Sequence, residues 1–279
     1  MILLYGKPVA EKILAKTKER IAGAIVTPGL AVILIGDDAS SHLYVGLKEK
    51  AAEAIGIHFE KHFFSEQTSS KEIFARIREL NKRDDIHGII VQLPLPAGFP
   101  TDEIIEHIDP NKDTDGFHPE TLKRFLSGQH EACPVFPRAV VELLRETKQQ
   151  FNGQKGLVIA NSPLLGKVMA QALMLEGLAG EYVLSSEKKE IIAEKTKTAR
   201  VIVTACGMAN FLTGGMLSPD AVVIDGGIAH IGDKVVGDVE HSSVESKIAY
   251  LSPVPGGVGP VTVASLLARV TDAALKNKI

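Results

Sequence analysis

The sequence predicts an α/β fold of two α/β domains, with strands that pair mostly in parallel. Three observations support this prediction. Short apolar strand patterns alternate with helical patterns in the first half, the second half repeats this alternation, and 279 residues with 45% hydrophobic content can bury two cores. In the second half, a strand, a tight turn and a helix N-terminus are typical of a Rossmann-like dinucleotide-binding unit.

The individual elements follow from the apolar runs and from the residues that cap or break them. Glycines bound the first strand, Ser40 or Ser41 caps the next helix, and Gly56 ends that helix. Pro94 and Pro96 end the third strand, because proline cannot continue a hydrogen-bonded ladder. The predicted strands cover residues 30–36, 57–64, 87–92, 156–160, 182–185, 201–205 and 221–225. The predicted helices cover residues 7–22, 40–55, 70–81, 101–108, 137–148, 166–174 and 262–276.

The composition argues against several functional classes. A formal net charge of -3 and an aromatic content of 5% give neither a basic nor a stacking surface for nucleic acid. No apolar run approaches the length of a membrane span, and no signal-peptide pattern opens the chain. Two cysteines, Cys133 and Cys206, are too few for a disulfide scaffold, and the scattered histidines lack zinc-site spacing. We therefore expect a cytoplasmic protein without a metal and without a membrane or nucleic-acid partner.

A candidate catalytic face lies on the helix after the first strand. Helical spacing places Ser41, Tyr44 and Lys48 on one side, three and four residues apart. A hydroxyl, a phenol and an amine then converge at the carboxyl end of a strand, where ligands bind in open α/β sheets. The same spacing also suits ordinary packing beside a solvated lysine, so this stretch indicates a site only together with other motifs.

Two further segments of the first half carry polar groups at strand ends. The strand at 87–92 is apolar until it ends in Gln92. The loop at 112–117 contains Asp113 and Asp115 with a glycine turn. We expect Asp113 to satisfy its own backbone in an Asx-type turn, whereas we expect Asp115 to lie near the other strand ends.

The second half contains two loops that suit ligand binding. The turn at 161–166 lies between a strand and a helix N-terminus and forms a plausible phosphate cradle, although Ala160 replaces the first glycine of a dinucleotide fingerprint. The loop at 252–262 is rich in proline and glycine, which lets the backbone approach a ligand closely.

Together these segments resemble the bifunctional methylenetetrahydrofolate dehydrogenase/cyclohydrolase family over essentially the whole chain. The matching segments are residues 41–48, 88–96, 112–119 and 253–260, in that order. The resemblance implies two α/β domains flanking a cleft, a homodimer, and a C-terminal domain that is a Rossmann-like dinucleotide-binding domain. It assigns residues 1–138 to a folate-binding catalytic domain and residues 139–259 to the NAD(P)-binding domain. A C-terminal helix at 260–279 is expected to pack back on the first domain.

The resemblance also implies a role for each matching residue. Lys48 is the catalytic lysine, Gln92 forms a hydrogen bond with it, and Asp115 anchors the pterin. Tyr44 stacks on the pterin ring system, and Ser41 supports Tyr44 and Lys48. The implied substrate-binding residues are Ser41, Tyr44, Lys48, Gln92, Leu93, Asp115, Pro255, Gly256 and Gly257.

These residue types suit the two reactions of the family. Hydride transfer from the methylene bridge to a nicotinamide ring requires mainly the alignment of two rings. Hydrolysis of the methenyl cation to the formyl product requires a base for water and an acid for the departing nitrogen. Lys48 can do both if its pKa is lowered, and the neutral Gln92 orients the amine without raising that pKa as a carboxylate would.

The cofactor side departs from the family pattern. Asn161 stands where the family has an arginine, and Glu187 stands where it has arginine or lysine. A carboxylate repels a 2′-phosphate and accepts a hydrogen bond from a ribose hydroxyl, so the sequence favours NAD over NADP. The implied cofactor-binding residues are Ala160, Asn161, Ser162, Leu165, Ser186, Glu187, Ala205, Gly207, Gly227, Ile228 and Thr262.

Other departures leave alternatives open. Residues 134–139 read Pro-Val-Phe-Pro-Arg-Ala where the family has Pro-Cys-Thr-Pro-x-Gly, and residues 225–228 read Asp-Gly-Gly-Ile where it has Asp-Val-Gly-Ile. One alternative is therefore a cyclohydrolase with weakened or lost dehydrogenase activity, and another is a non-catalytic folate-binding regulator, although a binder does not need Lys48. Tyr44 and Lys48 also have the spacing of a short-chain dehydrogenase, but there the glycine turn precedes the tyrosine and here it follows.

Overall fold

The computed structural model describes residues 1–232 and 234–276, which form two compact units. The three-stranded unit comprises Glu11–Val135 and the described residues from Val263 onward. The six-stranded unit comprises Met1–Ala10 and Phe136–Thr262. The last three residues of the predicted segment 260–279 lie outside the described residues.

A parallel sheet forms the centre of the three-stranded unit. Its strands are β2 (Gly29–Ile35), β3 (His58–Phe64) and β4 (Gly88–Val91), in the order β3-β2-β4. All seven residues of β2 are buried, as expected for a strand covered on both faces. Because successive side chains of a strand point to opposite faces, β2 supplies two separate apolar clusters. One contains Leu30, Val32 and Leu34, and the other contains Ala31, Ile33 and Ile35.

The six-stranded unit is built on a larger parallel sheet. Its strands are β1 (Ile2–Leu3), β5 (Lys155–Ala160), β6 (Ala179–Leu184), β7 (Val201–Ala205), β8 (Val222–Asp225) and β11 (Tyr250–Ser252). Their order is β1-β11-β8-β7-β5-β6, so the chain adds β6 on one side of β5 and β7 on the other. The carboxyl ends of β5 and β7 therefore form a topological switch point. An antiparallel hairpin, β9 (Ala229–Ile231) and β10 (Lys234–Val236), follows β8.

The N-terminal residues belong to the six-stranded unit, whereas the sequence analysis assigned them to the first domain. Strand β1 pairs with β11, and the Gly6 N–H donates a hydrogen bond to the Gly256 carbonyl at 2.8 Å. A Cβ on Gly6 would lie 1.8 Å from the Gly257 carbonyl oxygen, so this close approach requires glycine.

The helices cover most of the predicted helical segments. In chain order they are α1 (Gly6–Ala22), α2 (Ala39–Ile55), α3 (Ser70–Asn81), α4 (Thr101–Glu106), α5 (Pro119–Leu126), α6 (Val135–Glu146), α7 (Pro163–Met174), α8 (Lys189–Thr198), α9 (His241–Val244) and α10 (Val258–Lys276). Gly56 ends α2 with a φ of 88°, as predicted, and Ser69 caps α3.

Four predicted helix starts are wrong. Helix α6 begins at Val135 and not at Pro137, because proline is tolerated within the first turn of a helix, where the N–H groups have no intrahelical partner. Helix α2 is capped by Asp38 and not by Ser40 or Ser41, because an aspartate carboxylate is an equally good cap. Helix α7 begins at Pro163 and not near Gly166, since proline suits the first position of a helix. Helix α10 begins at Val258 and not near residue 262, so part of the predicted glycine-rich loop is helical.

Several short elements were not predicted. The strands β1, β9, β10 and β11 have two or three residues each, which is too short to show a periodic pattern. The helices α5, α8 and α9 were also missed. Helix α8 is mostly exposed and carries few apolar residues, so its sequence shows a weak apolar stripe.

Helix α10 contradicts the expectation that no segment approaches the length of a membrane span. By length and composition, Val258–Lys276 could cross a bilayer, with a mean hydropathy of 1.3. However, 61% of this window is buried inside the protein, and Leu266, Leu267 and Val270 belong to a core cluster of the three-stranded unit. Packing in this core accounts for the apolar composition of the helix.

Replacing Ile33 by Ala is expected to destabilise the protein by about 2–5 kcal/mol, because the residue is fully buried in the central strand β2. The measurement is the free energy of unfolding from chemical denaturation. Ile25→Ala is the matched control, since Ile25 is 100% exposed. Equal stability of the two variants would contradict the burial of Ile33.

Candidate active site

The local sequence of α2 positions a lysine at the edge of the sheet. The Asp38 carboxylate accepts a hydrogen bond from the Ser41 N–H at 2.7 Å, which fixes the first turn of the helix. Ser41 and Val45 are buried, while Tyr44 and Lys48 on the adjoining side of the helix are partly exposed. The helix therefore presents the phenol and the amine toward accessible space, as its spacing predicted.

Strand register brings two distant polar residues to the same edge. Ile33 of β2 pairs with Val91 of β4, and the Gln92 N–H donates to the Ile33 carbonyl at 2.9 Å. A parallel bridge joins Ile89 to Asp113, so the following loop runs alongside β4. Asp115 lies two residues beyond Asp113 in this loop, and its charge acts on Lys48.

Lys48 and Gln92 are in direct contact. The Lys48 Nζ donates a hydrogen bond to the Gln92 Oε1 at 2.8 Å, although the two residues are 44 positions apart. The Gln92 Nε2 donates to the Leu93 carbonyl at 2.8 Å, and this second bond turns the amide oxygen toward the amine. The contact that the resemblance implied between Lys48 and Gln92 is present.

Burial perturbs the amine and the neighbouring acid in opposite directions. Desolvation lowers the pKa of Lys48, and the negative charge of Asp115 partly opposes this shift. Desolvation raises the pKa of Asp115, against the attraction of Lys48. Each group is thereby moved toward its neutral form, which suits an amine that must bind and release a proton near neutral pH.

The loop that carries Asp115 is held from several sides. The Asp113 carboxylate accepts hydrogen bonds from the N–H groups of Gly116 and His118, each at 2.9 Å, so the predicted Asx-type turn is confirmed. Arg269 of α10 donates to the carbonyls of Cys133 and Asp113. The sequence does not predict the role of Arg269, because an arginine on an apolar C-terminal helix shows no local sign of this contact.

In the six-stranded unit, several predicted cofactor residues meet at the switch point. Ala160 of β5 pairs with Ala205 of β7, and the Asn161 N–H donates to the Ala205 carbonyl at 3.3 Å. The Ser162 Oγ accepts a hydrogen bond from the Leu165 N–H at 3.4 Å and caps α7. A helix N-terminus at a switch point is a suitable site for the phosphates of a dinucleotide.

The segment after β6 is open to solvent. Ser186 and Glu187 are exposed, and the Glu187 Oε1 accepts a hydrogen bond from the Lys188 N–H at 2.9 Å. Lys188 and Lys189 are also exposed. The carboxylate and the two ammonium groups therefore lie close together in sequence at the start of α8.

The loops after β7 and β8 approach each other, and their backbone N–H groups donate hydrogen bonds to two buried aspartates. The Ile228 carbonyl lies 3.6 Å from the position of a Cβ on Gly207, and Ile228 is 51% exposed. The Asp225 and Asp238 carboxylates bond to the backbone of these loops, and burial raises the pKa of Asp225 to about 6. The sequence predicts no role for either acid. Asp225 lies in the segment 225–228 next to Gly227, whereas Asp238 follows a hairpin that was not predicted.

Two departures from the family pattern are in contact with each other. A Cβ on Gly226 would lie 2.6 Å from the Cζ of Phe136 and 3.0 Å from the Thr204 carbonyl oxygen. Valine, the family residue at position 226, therefore does not fit beside this aromatic ring. The absence of a side chain at Gly226 and the larger side chain at Phe136 compensate each other in volume.

The remaining predicted residues lie at the start of α10. Pro255 is exposed, and Gly256 has a φ of 102°, a conformation that favours glycine. The Thr262 Oγ1 donates to the Gly259 carbonyl at 2.6 Å within the helix. Pro255, Gly256 and Gly257 belong to the six-stranded unit, unlike the other predicted substrate-binding residues. The predicted cofactor residue Thr262 belongs to the same unit.

One cluster of potential metal ligands lies beside the edge strand β3. His58, Glu60 and Asp85 place ligand atoms within 4.8 Å of one another. The Arg83 guanidinium binds both carboxylates, at 2.7 Å to Glu60 and 2.6 Å to Asp85, and holds the pKa of Glu60 at about 2. Because a cation already neutralises these acids, the cluster is best described as an ion-pair network. The absence of a metal site stays a prediction.

Comparisons with known proteins identify the family. Residues 4–115 match the tetrahydrofolate dehydrogenase/cyclohydrolase catalytic domain, and residues 134–278 match the NAD(P)-binding domain of the same family. The chain is 42% identical to the bifunctional protein FolD of Nitratiruptor sp., over 100% of this chain and 99% of that one. It is 40% identical to FolD of Bacillus subtilis, over 95% and 93% of the two chains.

Solved structures agree with the sequence comparisons. FolD from Campylobacter jejuni, a methylenetetrahydrofolate dehydrogenase/cyclohydrolase, superposes with a TM-score of 0.93 at 36% identity and covers 100% of both chains. The Trypanosoma brucei enzyme, solved with NADP and an inhibitor, superposes with a TM-score of 0.94 at 28% identity, over 99% and 98% of the two chains. This chain therefore belongs to the bifunctional tetrahydrofolate dehydrogenase/cyclohydrolase family.

Proposed function

We propose that this enzyme oxidises methylenetetrahydrofolate to methenyltetrahydrofolate with NAD(P) and then hydrolyses the product to formyltetrahydrofolate. The observation that carries the proposal is the Lys48 amine, which is partly desolvated and held at 2.8 Å by a neutral amide. A folate-binding regulator without turnover has no use for an amine whose pKa is lowered.

In the hydrolysis, Lys48 acts as both base and acid. Its lowered pKa increases the fraction of neutral amine, and this amine accepts a proton from the water that adds to the methenyl carbon. The resulting ammonium is stabilised by the negative charge of Asp115. The same ammonium then protonates the departing nitrogen. Gln92 accepts a hydrogen bond from the amine in either protonation state, so the nitrogen does not have to move.

The six-stranded unit supplies residues that fit a dinucleotide. The helix capped by Ser162 starts at the switch point between β5 and β7, and Gly207 has a φ of 69° in the adjoining loop. Bound NAD(P) supplies the nicotinamide ring that accepts the hydride from the methylene bridge. The compensating pair of Phe136 and Gly226 keeps the loop after β8 packed, which argues against the alternative of a lost dehydrogenase.

We propose NAD as the preferred cofactor. The exposed Glu187 carboxylate repels a 2′-phosphate and accepts a hydrogen bond from a ribose hydroxyl, and Asn161 supplies no positive charge. The nearby Lys188 and Lys189 are the groups that could oppose this preference by binding the phosphate. The balance between one carboxylate and two ammonium groups decides the specificity.

A cytoplasmic homodimer is the assembly that we propose for this enzyme. Strand β3 has a free edge in the three-stranded unit, since the sheet order among the described residues is β3-β2-β4. Leu43 and Leu47 of α2 are 64% and 47% exposed, and Phe63 of β3 is 51% exposed. An open strand edge with exposed apolar side chains nearby supports association with a second copy.

Replacing Lys48 by Met is expected to lower kcat for methenyltetrahydrofolate hydrolysis by about 100- to 10,000-fold, because the variant has no proton-transferring group. Calorimetric titration with tetrahydrofolate is expected to show retained binding. Lys50→Met is the matched control, since Lys50 is exposed on the same helix, and it should hydrolyse at the wild-type rate. Full hydrolysis by the Lys48 variant would refute the role of the amine.

Replacing Asp115 by Asn is expected to shift the ascending limb of the kcat–pH profile for hydrolysis to lower pH. The carboxylate raises the pKa of Lys48 by Coulomb attraction, so its removal lowers that pKa further and the amine becomes neutral at lower pH. Asp102→Asn, a change at an exposed position of α4, should leave the profile unchanged. A shift to higher pH would reverse the assigned interaction.

The cofactor preference is tested by following nicotinamide reduction with methylenetetrahydrofolate and either NAD or NADP. We expect a higher kcat/KM with NAD, and we expect Glu187→Gln to raise kcat/KM for NADP about tenfold by removing the repulsion, which corresponds to about 1.4 kcal/mol. Glu190→Gln, at an exposed position of the same segment, is the control. A higher kcat/KM of the wild type with NADP than with NAD would show that Lys188 and Lys189 determine the specificity. Reduction of neither dinucleotide, with hydrolysis intact, would favour the cyclohydrolase alternative.

A further inference from the structure

Two buried carboxylates lie beneath the loops that follow β7 and β8. Asp225 ends β8 and is 3% exposed, and Asp238 follows the β9–β10 hairpin and is fully buried. Among residues 1–232 and 234–276, neither side chain forms an ion pair with a lysine or arginine. Both carboxylates are instead surrounded by hydrogen-bond donors of the backbone. Buried anions require such compensation, because desolvating an unpaired charge is very unfavourable.

Asp238 holds the loop after β7 at two points. One carboxylate oxygen accepts a hydrogen bond from the Cys206 N–H and the other accepts one from the Met208 N–H, both at 2.7 Å. These short bonds are typical of charged acceptors. They bracket Gly207, which has a φ of 69°. The carboxylate thus stabilises a backbone conformation in which a predicted cofactor residue is exposed at the loop tip.

Asp225 connects Asp238 and the loop after β7 to the loop after β8. Its carboxylate accepts hydrogen bonds from the N–H groups of Gly227 (3.0 Å), Asp238 (3.1 Å) and Val239 (2.9 Å), and from the Thr204 hydroxyl (3.1 Å). The two acids are therefore coupled through the Asp238 backbone. A displacement of the Asp225 carboxylate would therefore weaken the hydrogen bond from the Asp238 N–H that holds the backbone of Asp238 in place.

Two glycines show how closely these carboxylates are packed. A Cβ on Gly227 would lie 2.1 Å from the Asp238 carboxylate, and a Cβ on Gly237 would lie 2.0 Å from an Asp225 oxygen. Such distances leave no room for any side chain. The backbone of both loops is therefore built around the carboxylates, and no substitute of different shape fits there.

We propose that Asp238, held in place through Asp225, is a positioning residue for the dinucleotide. Asp238 fixes the backbone around the predicted cofactor residue Gly207, and Asp225 fixes the backbone at Gly227, next to Ile228. This inference rests on the proposed dehydrogenase function. Asp238 does not need to touch the cofactor for this role. Its two carboxylate oxygens must accept hydrogen bonds from two N–H groups at once. The amide of asparagine has only one oxygen and can therefore accept only one of these two bonds.

The test is the Asp238→Asn variant of the full-length enzyme, assayed with the dinucleotide that the wild type prefers. The side-chain nitrogen of the asparagine would face one of the two N–H donors, and the loop would lose one of its two supports. We expect KM for the dinucleotide to rise about 10- to 100-fold, the loss expected for a hydrogen bond to a charged acceptor. Hydrolysis of methenyltetrahydrofolate by Lys48 should remain within twofold of wild type, which also verifies that the variant is folded.

A control variant and a milder variant complete the test. Asp220→Asn changes an exposed aspartate of the same unit and should leave both activities unchanged. Thr204→Val removes only the hydroxyl that supports Asp225, at nearly constant shape, and should raise KM for the dinucleotide a few-fold. If Asp238→Asn does not fold, a graded effect in Thr204→Val supports the inference and an unchanged KM overturns it.

Cys206 provides a readout that is independent of turnover. Burial and the Asp238 charge raise the pKa of its thiol to about 12, so it should react very slowly with a disulfide reagent. In a Cys133→Ser background, Asp238→Asn should accelerate this reaction and Asp220→Asn should not. Suppose that the wild-type enzyme reduces a dinucleotide and that the Asp238→Asn variant has the same KM and the same thiol reactivity. That result overturns this inference and leaves the dehydrogenase function intact. A wild type that reduces neither dinucleotide overturns the dehydrogenase function together with it.

Discussion

The hydrolytic chemistry depends on an amine that is partly desolvated beside a neutral hydrogen-bond acceptor. A carboxylate in the place of Gln92 would hold Lys48 as an ammonium ion and raise its pKa, whereas an amide oxygen accepts the same hydrogen bond without stabilising the charge to that extent. The negative charge of Asp115 opposes the desolvation and limits the fall of the pKa. Desolvation and the Asp115 charge thus act on the pKa of Lys48 in opposite directions. A small change in either one alters the fraction of Lys48 that is neutral and can accept a proton.

The parallel ladder of the three-stranded unit makes this arrangement possible. Gln92 follows β4 and Lys48 lies on the helix after β2, so both come from the carboxyl ends of neighbouring strands. The loop with Asp115, which lies between α4 and α5, runs beside β4. A shift of β4 by one residue would turn Gln92 to the opposite face of the sheet. The continuous burial of β2 fixes the register of its neighbours, and in this way an ordinary apolar core determines the geometry of a polar site.

The site could be predicted from the sequence where its residues follow strongly patterned elements. The apolar strand at 30–36 and the helix after it placed Lys48 correctly, and the glycine turn identified the role of Asp113. Contacts between distant segments could not be predicted, because no local pattern encodes them. Arg269 reaches the carbonyl of Asp113 from 156 positions away, and Asp238 follows short strands without periodicity. Asp38 was missed as a helix cap because the adjacent serines were equally suitable candidates.

The pair formed by Phe136 and Gly226 shows why departures from a family pattern have to be interpreted in space. Taken separately along the sequence, each departure seemed to weaken the dehydrogenase. In the structure the aromatic ring occupies the volume that a valine side chain at position 226 would fill, so Phe136 requires glycine at this position. The hydrogen bond from the Gly226 N–H to the Thr204 carbonyl, at 2.8 Å, is retained beside this contact. The Phe136 ring therefore packs against the loop after β8 where position 226 has no side chain.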